Sequence, residues 1–555
     1  MNEHDDGNEL TRRTLIGAAA GSAALASAAP LFGQAAGSAA GAPAAAPPHP
    51  GTRPFELAGL GLAELRRGLD SGRFTSRRLT ELYLERIAAV DRGAEGTHAV
   101  AEVNPDALAL ADRLDAERKA GQVRGPLHGL PILVKDNIGS ADALETTAGS
   151  LALLGARPAQ DAFLIRRLRA AGALLLGKTN LSEWANFRST RSTSGWSGRG
   201  GQVRNPHALD RNPCGSSSGS AVAAAADLCA AAVGTETDGS ITCPAAMNGV
   251  VGLKPTVGLI SRSGVIPISH SQDTAGPMGR SVEDVALLLA GLAGGDPADA
   301  ATAASAGHVL PDYTRGLDAR ALAGARLGVV RHFFGWHPEI ERQAEGLLGA
   351  LRVAGATLVD PVEIPNATDL DPNEFAVLLY EFKHDLNAHL AGLPDRGQPR
   401  TLAALIDFNR VHAREEMPWF EQELFEQAEA KGPLTEEAYL KALETAQRLA
   451  RAEGLDALFA AQKLDALVCP TMGLAYLTDW VNGDHYGGSC TSPPAVAGYP
   501  HLTVPGGFVQ DLPWGFSFLG PAWSEAKLLG YGYAFEQATR ARRAPGFLAT
   551  LPFEV

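Results

Sequence analysis

The sequence predicts an α/β fold, a large central sheet covered by helices on both faces, on three observations. Short, wholly apolar runs of strand type, such as Pro131-Ile132-Leu133-Val134, alternate with longer amphipathic segments. Those runs carry no polar alternate position, as in strands buried on both faces. With 45% hydrophobic and 20% charged residues in 555, the chain has the composition of an ordinary globular protein. Length alone allows three domains, although large α/β enzymes often form one continuous unit.

Residues 1–28 read as a twin-arginine export leader. Thr11-Arg12-Arg13-Thr14-Leu15-Ile16 precedes a mildly apolar Ala/Gly-rich run, with Ala26-Ser27-Ala28 as a cleavage site. Residues 29–52, rich in Ala, Gly and Pro, read as a flexible linker, and 53–545 as the folded domain. Thr75 caps a helix whose apolar positions are Leu79, Leu82, Tyr83, Ile87 and Val90. Asn104-Pro105 starts another, with the proline at its first position and Gly121 beyond its end. Strand 131–134 delivers Lys135-Asp136-Asn137. Asp161 caps the next helix, Gly172 ends it, and strand 173–176 delivers Gly177-Lys178-Thr179. Further strands are expected at 326–330, 357–362, 464–469 and 502–504, with helices at 281–292 and 339–353. Residues 366–461 break the alternation, being helical by periodicity and rich in Glu and Gln; they are either a cap over a site or an all-helical flank.

A net charge of −14 argues against nucleic acid and anionic membrane surfaces as partners. Without residues 1–52 the balance is 46 Lys and Arg against 58 Asp and Glu, still acidic. Beyond the leader no stretch reaches the length of a membrane span, so the mature protein is expected to be soluble, periplasmic or secreted, and monomeric. The five cysteines are too scattered for a disulfide framework and read as small buried apolar residues, with room for one bridge. Among 14 His there is no H-E-x-x-H and no pair at metal spacing, so neither a metal nor a cofactor is expected.

The chemistry concentrates in residues 212–256, where a Gly/Ser cluster at 215–220 leads into an Ala-rich helix and a second hydroxyl cluster at 235–240 follows a short apolar run. Three nearby patterns mislead. Gly172 to Thr179 matches Walker A, but its variable positions are Ala-Leu-Leu-Leu, a buried strand and not an exposed phosphate loop. Gly215-Ser216-Ser217-Ser218-Gly219 matches the nucleophile elbow, yet turn formers and not a strand precede it, which counts against Ser217 as nucleophile. Ser524-Glu525-Ala526-Lys527 fits S-x-x-K on an ordinary amphipathic helix, where the lysine is solvated. What survives is a serine nucleophile with no histidine base in view; a lysine serves if burial keeps it neutral. Lys135, Lys178 and Lys254 all follow apolar runs, and the residues themselves do not choose among them.

Gly129 to Asn137, the cluster 215–220, Gly239-Ser240-Ile241 and Gly252-Leu253-Lys254-Pro255-Thr256, in that order, resemble the amidase signature family. Residues 178–187 and 234–240 look most like its bacterial peptide-amidase branch. The resemblance implies a large mixed sheet and hydrolysis of a carboxamide, foremost the C-terminal amide of a peptide, to acid and ammonia. An aryl- or alkyl-acylamidase, or an amidotransferase subunit that works on misacylated tRNA, is the alternative. It implies a catalytic triad of Ser240 as nucleophile, Ser216 as relay in a cis peptide and Lys135 as base, the two serines 24 residues apart. Ser217 would hydrogen-bond that network, and the N–H groups of Thr237, Asp238, Gly239 and Ser240 would form an oxyanion hole. Many members have Gly where this chain has Asp238, whose carboxylate is expected to point away or to bind substrate; Cys214 also stands where Gly is common. Loops near Trp480, Tyr486 and Trp514 are expected to shape substrate choice.

Overall fold

In the computed structural model, which describes residues 49–552, one mixed sheet of eleven strands runs through the protein. The leader and most of the linker lie outside the described residues. Pro131–Lys135 sits between Leu174–Thr179 and Ala231–Glu236 and runs parallel to both. From Ala231–Glu236 the sheet continues antiparallel through Thr274–Gly279, Val251–Lys254, His501–Val509 and Leu512–Leu519. It ends in a second parallel patch, Ala466–Pro470, Arg326–Val330 and Thr357–Val362. Every residue of the three parallel strands around Lys135 is buried, so none needs a polar alternate, which is why each begins as an apolar run and turns polar only at its carboxyl end.

The expected elements form, with local differences at their ends. Thr75 Oγ1 accepts the N–H of Arg78 and caps helix Ser76–Val90. Helix Ala107–Lys119 starts two residues beyond Pro105, because Asn104 Oδ1 takes the N–H of Asp106 and holds that turn outside the helix. Asp161 does not cap helix Phe163–Ala170; its carboxylate accepts the N–H of Ala141 and pairs with Arg169 instead. His49 stacks on Phe547 and Leu548 bridges to Ala208, so packing extends past both expected ends of the domain, 53 and 545. All five cysteines are buried and free, so the bridge allowed for is not formed. Among the described residues no helix is long and apolar enough to cross a membrane.

Residues 366–461 are helical, and Asp371–Gly392 is their longest helix. They pack through Leu379, Phe382, Leu424 and Phe425 against Trp184, Phe187, Ile266 and Ile268. The last four belong to loops beside the cleft described below, so the segment is a cap and not a distant flank.

Arg280 is buried and donates to the carbonyls of Leu60, Ala224, Cys229 and Ala230, with Asp227 at 3.4 Å. It fastens the end of helix Ser218–Ala225 to the start of strand Ala231–Glu236, which sets the spacing of the two hydroxyl clusters. Arg280→Ala leaves four carbonyls and a carboxylate without their cation; a loss of about 3–5 kcal/mol is expected, read as a lowered urea-unfolding midpoint.

Candidate active site

Neighbouring parallel strands open their carboxyl ends on one side of the sheet, where ligands of α/β proteins bind. At that edge Pro131–Lys135 presents Lys135, Ala231–Glu236 feeds the loop 237–240, and helix Ser218–Ala225 begins just after Ser216 and Ser217. Tertiary structure thus joins the three pieces.

Lys135 is wholly buried, and its Nζ donates to Ser216 Oγ at 2.7 Å, Thr235 Oγ1 at 2.9 Å and the Thr235 carbonyl at 3.3 Å. Burial pulls its pKa down to about 7, against the raising influence of Asp273 and Glu236. Lys178 and Lys254 are also buried and lowered, each to about 8, so titration does not separate the three lysines. Their partners do. Lys178 Nζ bonds the Ile138 carbonyl and Thr146 Oγ1, and Lys254 Nζ reaches the Pro255 carbonyl. Of the three, Lys135 alone touches a serine hydroxyl.

The Gly215–Ser216 peptide is cis, and Cys214 before it has φ of 59°, a left-handed conformation that glycine takes more readily. Ser217 does not contact Lys135. Its Oγ accepts the N–H of Thr235 at 3.1 Å and donates to that residue's carbonyl at 2.9 Å, while its N–H donates to the Ser240 carbonyl at 3.0 Å. It therefore staples the helix entrance to the strand end, and the link to Lys135 passes through Thr235.

Ser240 lies in a cleft of 420 Å³ together with Thr237, Asp238 and Gly239. Among the described residues, none of the N–H groups of these four residues donates to another protein group. Gly239 has φ of 78°, and a Cβ there would also meet Cys243 Sγ at 3.0 Å, so glycine is required. Glu236 Oε2 accepts the N–H groups of Ile241 and Thr242 at 2.7 and 2.9 Å, fixing the turn just beyond Ser240. The Asp238 carboxyl pairs with no cation among the described residues: Oδ2 accepts Ser492 Oγ at 2.7 Å, Oδ1 has no hydrogen-bond donor among them, Glu374 of the cap lies beside it, and burial raises its pKa. The cleft's apolar wall is Phe187 and Ile268 from the body and Leu378 and Leu424 from the cap. Ala185 and Asn186 also line the cleft, from a left-handed turn that begins at buried Trp184, an arrangement costing roughly 1–2 kcal/mol per residue that the packed cap encloses.

Sequence reading missed Thr235, which bonds Lys135, Ser217 and Asn137 at once, and Asp273, whose carboxylate accepts Thr237 Oγ1. Thr235 was visible only as one hydroxyl in a cluster, and nothing around Asp273 marks it. Of the loops expected to shape substrate choice, the one after Trp480 lines the cleft with Asn482, Gly483, Asp484 and Tyr486, while Trp480 itself stacks on Trp419 and Trp514 is buried in a strand with Nε1 on Gln343.

Fold and site together define an amide hydrolase. The chain belongs to the Amidase family, whose model matches residues 78–529. The solved native peptide amidase from Stenotrophomonas maltophilia is 52% identical, with a TM-score of 0.84, over 89% of this chain and 100% of that one. An Arabidopsis thaliana protein named "Probable amidase" is 41% identical over 89% of this chain and 93% of its own. A glutamyl-tRNA(Gln) amidotransferase subunit of Halorhodospira halophila is 36% identical over 86% of this chain and 97% of its own. The family read from the linked motifs is therefore the right one, as is the mixed sheet it implied.

The structure assigns Lys178 a holding role, tying strand Leu174–Thr179 to the turn at Ile138. Lys178→Met should lower the melting temperature, at about 1–3 kcal/mol for the orphaned acceptors, while turnover per folded molecule stays near wild type.

Proposed function

We propose that this protein hydrolyses primary carboxamides, foremost the C-terminal amide of a peptide, to the carboxylic acid and ammonia. One observation carries the proposal: a buried lysine hydrogen-bonded to Ser216, next to Gly215 of a cleft that holds Ser240 and four N–H groups without protein partners among the described residues.

Neutral Lys135 has a lone pair, so one of its three contacts reverses and it accepts the Ser216 proton. Ser216 in turn takes the proton of Ser240 as that hydroxyl attacks the amide carbon. Charge developing on the carbonyl oxygen is met by the N–H groups of Thr237, Asp238, Gly239 and Ser240. The same relay returns the proton to the leaving nitrogen, and ammonia departs. Water then attacks the acyl-enzyme, giving its proton to the relay and releasing the acid and Ser240. No step calls on a metal or cofactor.

The likeness to peptide amidase over the whole of that chain supports the peptide-amide substrate. The apolar wall supplied by Leu378 and Leu424 supports it further, because it gives an acyl side chain a surface to bury. Aryl or alkyl amides are the nearest alternative class. Asp238, with a free buried oxygen beside the N–H groups, is proposed as a contact for the substrate's own N–H. Export through the Arg12-Arg13 leader and action as a monomer complete the proposal.

Ser240→Ala should abolish ammonia release from a peptide amide while the protein stays folded; undiminished release would overturn the nucleophile. Lys135→Ala should cost several orders of magnitude. The base works only when unprotonated, so kcat/KM should rise with pH through about 7 and fall away below it as Lys135 gains its proton. A panel of peptide amides, free-acid peptides and aryl amides, assayed for ammonia or amine, tests the substrate; preference for aryl amides would displace the peptide reading.

A further inference from the structure

The helix Asp371–Gly392 of the cap turns three carboxylates toward one loop. Glu381 Oε2 accepts from Ser269 Oγ at 2.5 Å and from Ser271 N–H and Oγ at 3.1 and 2.9 Å. Asp385 Oδ2 takes the N–H of His270 at 3.0 Å and meets its Nδ1 at 2.8 Å, and Glu374 accepts from Gln272 Nε2 at 2.7 Å. Positions 374, 381 and 385 recur at helical spacing, so one face of the cap holds four consecutive loop residues.

The next residue is Asp273. Its Oδ2 accepts the N–H groups of Ile268 and Ser269 at 2.8 and 2.9 Å, closing the loop on itself. Its Oδ1 accepts the hydroxyl of Thr237 at 2.6 Å. Thr237 opens the loop whose N–H groups face the cleft, and this is the bond that holds its side chain. Donors of an oxyanion hole act by being fixed before charge develops.

We propose that Asp273 is a positioning residue for amide hydrolysis: through Thr237 Oγ1 it fixes the backbone of residues 237–240 in the geometry that meets the oxyanion. The inference rests on the hydrolytic reading given above. Asp273 bonds no member of the relay and meets the cleft's wall only at the backbone N–H of Ile268, so it acts in the transition state through Thr237. It has a second, electrostatic effect. Lys135 is faced by two carboxylates, Glu236 at the end of its neighbouring strand and Asp273 from the loop, and both favour its protonated form. Glu236 is occupied by Ile241 and Thr242; Asp273 also feels Arg262, which is itself paired with Asp299. Removing the Asp273 charge eases deprotonation of Lys135.

The test uses the full chain with a peptide amide. Asp273→Asn and Thr237→Val should each lower kcat, on the order of 10²-fold, with KM nearly unchanged, as for loss of an oxyanion-hole donor. The double variant should be no worse than the poorer single one, because both cut the same bond. Thr237→Ser, which keeps the hydroxyl, should restore most of kcat. Asp273→Asn should also move the acid limb of kcat/KM to lower pH. Thermal melts accompany each variant; if Asp273→Asn does not fold, the Thr237 pair decides. Unchanged kcat in Thr237→Val, a loss confined to KM, or fully additive losses would overturn the proposal. Activity surviving in Ser240→Ala would instead overturn the hydrolytic reading beneath it, and Ser240→Ala inactive beside an unimpaired Asp273→Asn overturns the positioning role alone.

Discussion

Keeping the Lys135 ammonium away from water is the constraint on which the rest of the site depends. A lysine in solvent stays protonated and cannot accept a proton from serine. Burial alone brings Lys135 down to about 7, and it does so although Glu236 and Asp273 pull the other way. Desolvation wins because both carboxylates are already engaged by backbone N–H groups, Glu236 by Ile241 and Thr242 and Asp273 by Ile268 and Ser269. A dry amine also needs every proton placed, and Ser216 with the two oxygens of Thr235 does that.

Dryness in turn dictates composition. A Cβ on Gly219 would lie 2.3 Å from the Ala99 carbonyl and 2.4 Å from that of Asn180, and one on Gly215 2.2 Å from Ser182 Oγ. One on Gly234 would lie 2.7 Å from Ser217 Oγ. The glycines, serines and alanines of residues 212–256 therefore serve packing as much as chemistry. Only small residues let the helix, the cis-linked turn and the strand approach closely enough to exclude water.

This explains what the sequence made legible. Strands sealed on both faces lack alternation and stand out, so the sheet could be read before it was seen. The small-residue stretch stands out for the same reason. Choosing the lysine was different: Lys135, Lys178 and Lys254 end similar runs and are all buried, and what distinguishes them is a partner 81 residues along the chain from Lys135. The choice came from family resemblance and not from local chemistry. Asp273 was invisible because its partner is 36 residues away and its loop carries no periodicity. Helix starts at 107 and 163 were misplaced where a polar side chain found a different N–H, as Asn104 and Asp161 did. Trp514 marks no loop at the cleft, because it lies inside strand Leu512–Leu519 and is buried in the core.

The cap helix Asp371–Gly392 combines two duties on one side. Glu374, Glu381 and Asp385 grip the loop that presents Asp273, while Leu378 turns into the cleft and Phe382 and Leu386 pack against the body. A rigid helix cannot shift Leu378 without the carboxylates that flank it. An acyl group that pushes Leu378 outward would displace the carboxylates holding residues 269–272, and with them the anchor of Thr237. One that fits leaves the N–H groups of residues 237–240 where charge will develop. On the proposed mechanism, side-chain fit at the apolar wall is thus tied to stabilisation of the oxyanion, so selectivity of this site belongs in kcat as well as in KM.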